Sequence, residues 1–195
     1  MYAYGMTNRV TVDLEFTPNP NSLKYITNAV LIEKGAIQFK DKESVKGRSP
    51  LADVLFSLEG VQGVMVGNNF VTISIASFDR LTELNDEVMA EIKKFIESGA
   101  KAVTVEITLD SGHSANKGDL SDVEKQIIEI LDKDIRPSVA MDGGDITFEK
   151  YEDGILFLQM KGSCAGCPSS RMTLKMGIEN RLRQVIPDLI EVVSI

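Results

Sequence analysis

Apolar and polar residues alternate along 9–16, from Arg9 through Val10, Val12 and Leu14 to Phe16, with the period of two that buries one face of a strand. The run stops at Thr17-Pro18-Asn19-Pro20-Asn21, where two prolines offer no ladder donor and force a turn. A second strand is predicted at 36–39. Ser49 ahead of Pro50 supplies an N-cap and a proline at the first helical position, which opens a helix over 51–58 that Gly60 and Gly63 close. Two β-rich runs, 64–66 and 70–75, flank Gly67-Asn68-Asn69 and predict a hairpin. Leu84, Val88, Ile92, Phe95 and Ile96 then recur at helical spacing up to Gly99, and 102–109 reads as a closing strand.

The polar, glycine-punctuated run 110–119 has no apolar period on which anything can pack, so it reads as a flexible linker. Beyond it, Ser121 and Glu124 form a capping box, and Val123, Ile127, Ile130, Leu131 and Ile135 supply a buried stripe that Arg136-Pro137 ends. Strands are predicted at 145–149 and 155–160 about the turn Glu152-Asp153-Gly154. Leu174, Ile178, Leu182 and Val185 line a second helix, Pro187 stops it, and 189–195 makes a last strand. The expected fold is α+β: two small domains, each a short mixed or antiparallel sheet packed with helices. The predicted division is 1–109, linker 110–119, and 120–195.

The chain has 195 residues, 43% of them hydrophobic, and carries a formal net charge of −8 divided evenly between the two halves. Neither half holds a basic stripe able to neutralise phosphates, so nucleic acid is not an expected partner. No apolar run approaches the roughly 20 residues that span a bilayer, so no membrane partner is expected either. The start lacks the pattern of a secretory or transit peptide, and the default expectation is a reducing, cytoplasmic location with free thiols.

The only two cysteines, Cys164 and Cys167, lie in Gly162-Ser163-Cys164-Ala165-Gly166-Cys167-Pro168, just ahead of the second helix of that half. A disulfide between them encloses too little chain to staple a fold, so the pair serves metal ligation or redox exchange. Pro168 suits the first helical position, which puts Cys167 at a helix start where thiolate is favoured. Zinc and common iron–sulfur sites take four protein ligands, and this chain has two thiols. His113, the single histidine, stands in the linker with no neighbouring ligand and reads as a solvated residue. Two chains each giving Cys164 and Cys167 would complete a four-thiolate set across a two-fold axis. A thiol–disulfide exchange site and a zinc-bridged interaction module remain open beside it.

Several other features have plainer readings. Asp142-Gly143-Gly144-Asp145 reads as a turn rather than a phosphate loop, Met172 and Met176 as core filler, and Lys161 and Lys175 as solvated surface.

At these residues the chain resembles the NifU-like (Nfu-type) iron–sulfur scaffold proteins. The second half carries the resemblance in Ile135-Arg136-Pro137, in Met141-Asp142-Gly143-Gly144-Asp145-Ile146, in the cysteine run and in Thr173-Leu174-Lys175-Met176-Gly177. In the first half Thr17-Pro18-Asn19-Pro20-Asn21, Arg48-Ser49-Pro50 and 64–71 resemble the amino-terminal domain that accompanies such scaffolds. The resemblance implies a non-enzymatic carrier that is a homodimer when loaded. It would hold a [4Fe–4S] cluster, with [2Fe–2S] as an intermediate, between the Cys164 and Cys167 pairs of two chains. Its implied partners are the assembly proteins that donate the cluster and the apo client proteins that receive it.

Overall fold

The computed structural model describes residues 9–77, 79, 81–104, 120–166 and 168–195. The first sheet has strands β1 (Val12–Phe16), β2 (Ser22–Thr27), β3 (Ile37–Phe39), β4 (Val61–Val66) and β5 (Phe70–Ile75), antiparallel throughout in the order β1-β2-β5-β4-β3. Helices α1 (Pro50–Leu55) and α2 (Leu81–Glu97) cover one face of it. Leu23 and Tyr25 from β2, Val64 and Val66 from β4, and Val71 and Ile73 from β5 meet Leu51, Leu55, Val88 and Ile92 there in one core. The Ser49 cap forms as its sequence predicts, its hydroxyl accepting from the Ala52 amide at 3.1 Å and donating to the Ala102 carbonyl at 2.6 Å.

The second sheet is β6 (Gly144–Glu152), β7 (Ile155–Gly162) and β8 (Glu191–Ser194), with β7 antiparallel to β6 and parallel to β8. Asp153 and Gly154 both take positive φ in the connecting turn, the pairing that matches strand twist in a two-residue hairpin. Helix α3 (Asp122–Ile130) begins with the complete Ser121–Glu124 capping box. Helices α4 (Arg136–Met141), α5 (Ser163–Gly166) and α6 (Pro168–Arg183) complete this half, whose separate core includes Ile127, Leu131, Phe148, Leu158, Ile178 and Val192. Two sheets with two cores give the expected α+β architecture. Among the described residues no helix is long and apolar enough to cross a membrane.

Four local expectations change. The run 22–27, not predicted as a strand, is β2, paired between β1 and β5. Gly63 does not close α1 but lies inside β4 at a shift of register, while Gly60, at φ +97°, makes the turn ahead of it. Pro137 does not end the helix: residues Leu131–Ile135 form a π-turn in which the Arg136 amide reaches back five residues to the Leu131 carbonyl, and α4 then starts around the proline. The widened turn absorbs the donor that proline lacks. Residues 102–104 are not a strand, and 105–119, with the predicted linker and His113, lie outside the described residues.

Candidate metal centre

The cysteine loop joins β7 to α6, and its shape is set by glycines on both sides. Gly162 ends β7 at φ +63° and Gly143 precedes β6 at φ +75°, a region that side chains disfavour. The two turns are laced together: the Ser163 amide donates to the Gly143 carbonyl at 3.2 Å, and the Ser163 hydroxyl donates to the Asp142 carbonyl at 2.5 Å. Gly144 has a different role. A Cβ on it would lie 2.3 Å from Cys164 Sγ, so the bare backbone is the seat of the thiol. Asp142 and Gly143 form the turn read from the sequence, whereas Gly144 and Asp145 already belong to β6, and the junction is also a cradle for Cys164.

Cys164 is 7% exposed and packs with the core of the second half. Burial pushes its thiol up to about 11; the hydroxyl of Ser163, 3.9 Å from Sγ, opposes this, and the Asp142 and Asp145 carboxylates reinforce it. Desolvation and two acidic neighbours thus disfavour the thiolate at Cys164 in this arrangement, while the helix-start expectation concerns Cys167. Cys167 lies outside the described residues. Beside Cys164 opens a cavity of about 510 Å³, lined by Asp142, Ser163, Val139, Leu174 and Ile178 and, from the first half, by Pro18.

Around the loop, Arg136 grips Asp145 through two bonds, Nε to Oδ1 at 2.9 Å and Nη2 to Oδ2 at 3.1 Å, and reaches Asp132 at 2.8 Å. Lys161 stands opposite Asp145 in the β6–β7 register; burial lowers its pKa, Asp145 raises it and Arg136 lowers it again. It is therefore half-buried beside a carboxylate rather than fully solvated. Lys175 is engaged with Glu191 and Glu179. Met172 and Met176, read as core filler, are exposed on α6.

Residues of the first half that the sequence did not single out also reach this site. Asn19 Nδ2 donates to the Ser163 carbonyl at 2.9 Å, Lys24 Nζ to the Met141 carbonyl at 2.9 Å, and Thr72 Oγ1 to the Gly143 carbonyl at 2.7 Å. The signal was partly present: Ser22-Leu23-Lys24-Tyr25-Ile26-Thr27 alternates like a strand, although nothing local says what its polar face meets.

Known proteins share the sequence of both halves. Residues 127–193 match the family model described as NifU-like domain, and residues 12–99 match the one described as scaffold protein Nfu/NifU N terminal. The human protein named NFU1 iron-sulfur cluster scaffold homolog, mitochondrial, is 40% identical over 187 residues, which cover 95% of this chain and 72% of that one. The protein of the same name from Drosophila erecta is 39% identical over 181 residues, covering 91% of this chain and 62% of its own length. A solution NMR structure of a NifU-like protein from Saccharomyces cerevisiae covers 54% of this chain at a TM-score of 0.46 and 21% identity. The cytoplasmic expectation is overturned by these relatives, which are mitochondrial by name; free thiols and the lack of a long apolar run do not discriminate between reducing compartments. With both family models matched in order and a relative 40% identical across 95% of this chain, the chain belongs to the NifU-like (Nfu-type) family.

Proposed function

We propose that the chain is an iron–sulfur cluster scaffold and carrier, whose cargo is held by Cys164 and Cys167 and passed to apo client proteins. The observation that carries this reading is the Cys-x-x-Cys loop, with Cys164 seated on Gly144, in a chain 40% identical to a protein named as such a scaffold. Soft thiolates are the donors that iron–sulfur clusters take. Two thiols fill half of a four-ligand set, so a second copy of the chain supplies the other half across a two-fold axis, and the family resemblance implies that the shared cluster is a [4Fe–4S] unit. Ligands divided between two chains suit release more than permanent retention. Thiolate exchange with client cysteines then transfers the cluster without a turnover reaction by the chain itself. Within this reading, 1–109 is the amino-terminal domain, 110–119 the linker and 120–195 the cluster-binding domain.

The test is iron and acid-labile sulfide per chain after anaerobic reconstitution, measured on the dimer fraction from a sizing column. About four of each per two chains is expected, and Cys164→Ser or Cys167→Ser should abolish stable loading while the fold persists. Zinc without sulfide, or a metal-free chain that only cycles a disulfide, overturns the carrier reading in favour of an interaction module or an oxidoreductase. Full cluster content in either serine variant overturns the ligand assignment.

A further inference from the structure

The first sheet has a second face. Because Leu23, Tyr25, Val64, Val66, Val71 and Ile73 point into its core, the alternate residues Lys24, Met65 and Thr72 point away from it. A domain standing alone would expose them, yet they are 5%, 1% and 1% exposed. What covers them is the cysteine loop and the turn that cradles it. Met65 packs against Gly162, where a Cβ would come within 2.7 Å of the methionine methyl. Lys24 runs across the Phe70 ring, 5.3 Å from its centroid, and holds the Glu15 carboxylate at 2.9 Å as well as the Met141 carbonyl.

The three donors of this face are placed around the loop. Lys24 and Thr72 hold carbonyls 141 and 143, in the turn that precedes Gly144, and Asn19 holds carbonyl 163, the residue before Cys164. Ser163 ties those two segments together. The contacts thus fix both sides of the loop backbone in the arrangement that turns Cys164 inward onto Gly144. Parting the faces takes only the Met141 carbonyl from Lys24, because Glu15 and the Phe70 ring lie in the first half and stay with it, and water can replace the lost acceptor.

We propose that the Asn19–Lys24–Thr72 face of the first domain is a docking surface for the cysteine loop of the second, and that it must release the loop before Cys164 can be loaded. The significance for loading rests on the carrier reading above; the latch itself does not, and it is tested on metal-free protein. The measurement is the rate of iodoacetamide alkylation of Cys164 in the full-length chain with Cys167→Ser, so that one thiol reports. The parent is compared with Asn19→Asp, Lys24→Met and Thr72→Val combined. Aspartate keeps the oxygen that accepts from the Asn21 amide and removes the donor. Loss of the three bonds should speed alkylation roughly tenfold or more, with amide protection in β6 and β7 retained. With both cysteines present, the same substitutions should shorten reconstitution time. Equal alkylation rates overturn the latch, and faster alkylation with unchanged loading overturns its gating role. Should the triple variant lose core amide protection, Thr72→Val alone decides, with acceleration supporting the latch and an unchanged rate overturning it. A chain that takes up no cluster in either form removes the carrier reading and leaves the alkylation result standing.

Discussion

Gly144 shows how much one absent side chain can determine. Its virtual Cβ would meet Cys164 Sγ at 2.3 Å and the Lys161 carbonyl at 3.1 Å, so an added methyl must displace the thiol or bend the β6–β7 pairing. Gly144→Ala should therefore destabilise the second domain by about 1–3 kcal/mol, as overpacking does, measured by urea unfolding. Wild-type stability would show that the thiol has another place to go. Cys164 itself makes stability depend on pH. Its thiol holds a proton more tightly in the folded chain, where burial raises it from an ordinary value near 9 to about 11, than in the unfolded chain. The associated stabilisation is fully present below pH ~9 and fades as pH climbs towards ~11. Urea midpoints should accordingly fall more between about pH 8 and about pH 10.5 in the parent than in Cys164→Ala, and parallel slopes would contradict the inward thiol.

At the level of elements, local signals determined most of the outcome. The Ser49 cap, the Ser121–Glu124 box and the Asp153-Gly154 turn are short-range chemistry, and each formed where its residues stand. Pro137 misled because a proline's missing donor can be absorbed by a π-turn, a tertiary accommodation with no sequence mark. That accommodation carries Arg136 to Asp145, tying α4 to the first residues of β6 beside the cradle. The pair is largely buried, with side-chain exposures of 16% and 8%. Arg136→Leu should cost roughly 3–5 kcal/mol, because it strands a buried carboxylate rather than merely deleting a bond. Thermal or urea unfolding reads this directly, and the double change Arg136→Leu with Asp145→Asn should recover part of the loss.

For the whole molecule, the two-part organisation could be read from composition and periodicity, where the cysteine run also stands out as the segment with metal-ligand or redox chemistry to offer. The way the two parts meet could not. Strand alternation in β2, β4 and β5 says which side chains leave the first core, but only their burial says that they do not reach water. Asn19 sits in a proline turn where its side-chain oxygen already accepts from the Asn21 amide, so nothing in the sequence hinted that its amide nitrogen had a distant acceptor. The contact relates residues 144 positions apart, beyond the reach of any local pattern.

All three acceptors in that contact are main-chain carbonyls: Met141, Gly143 and Ser163 each offer an atom that every amino acid possesses. Side-chain identity on the cysteine-loop side is therefore nearly silent in setting its strength, as long as the glycine turns persist. The control lies with three side chains of the other domain, which can be weakened or reinforced without touching a residue near the thiols. Such a division lets the joint be tightened or loosened while the backbone that seats Cys164 stays unaltered.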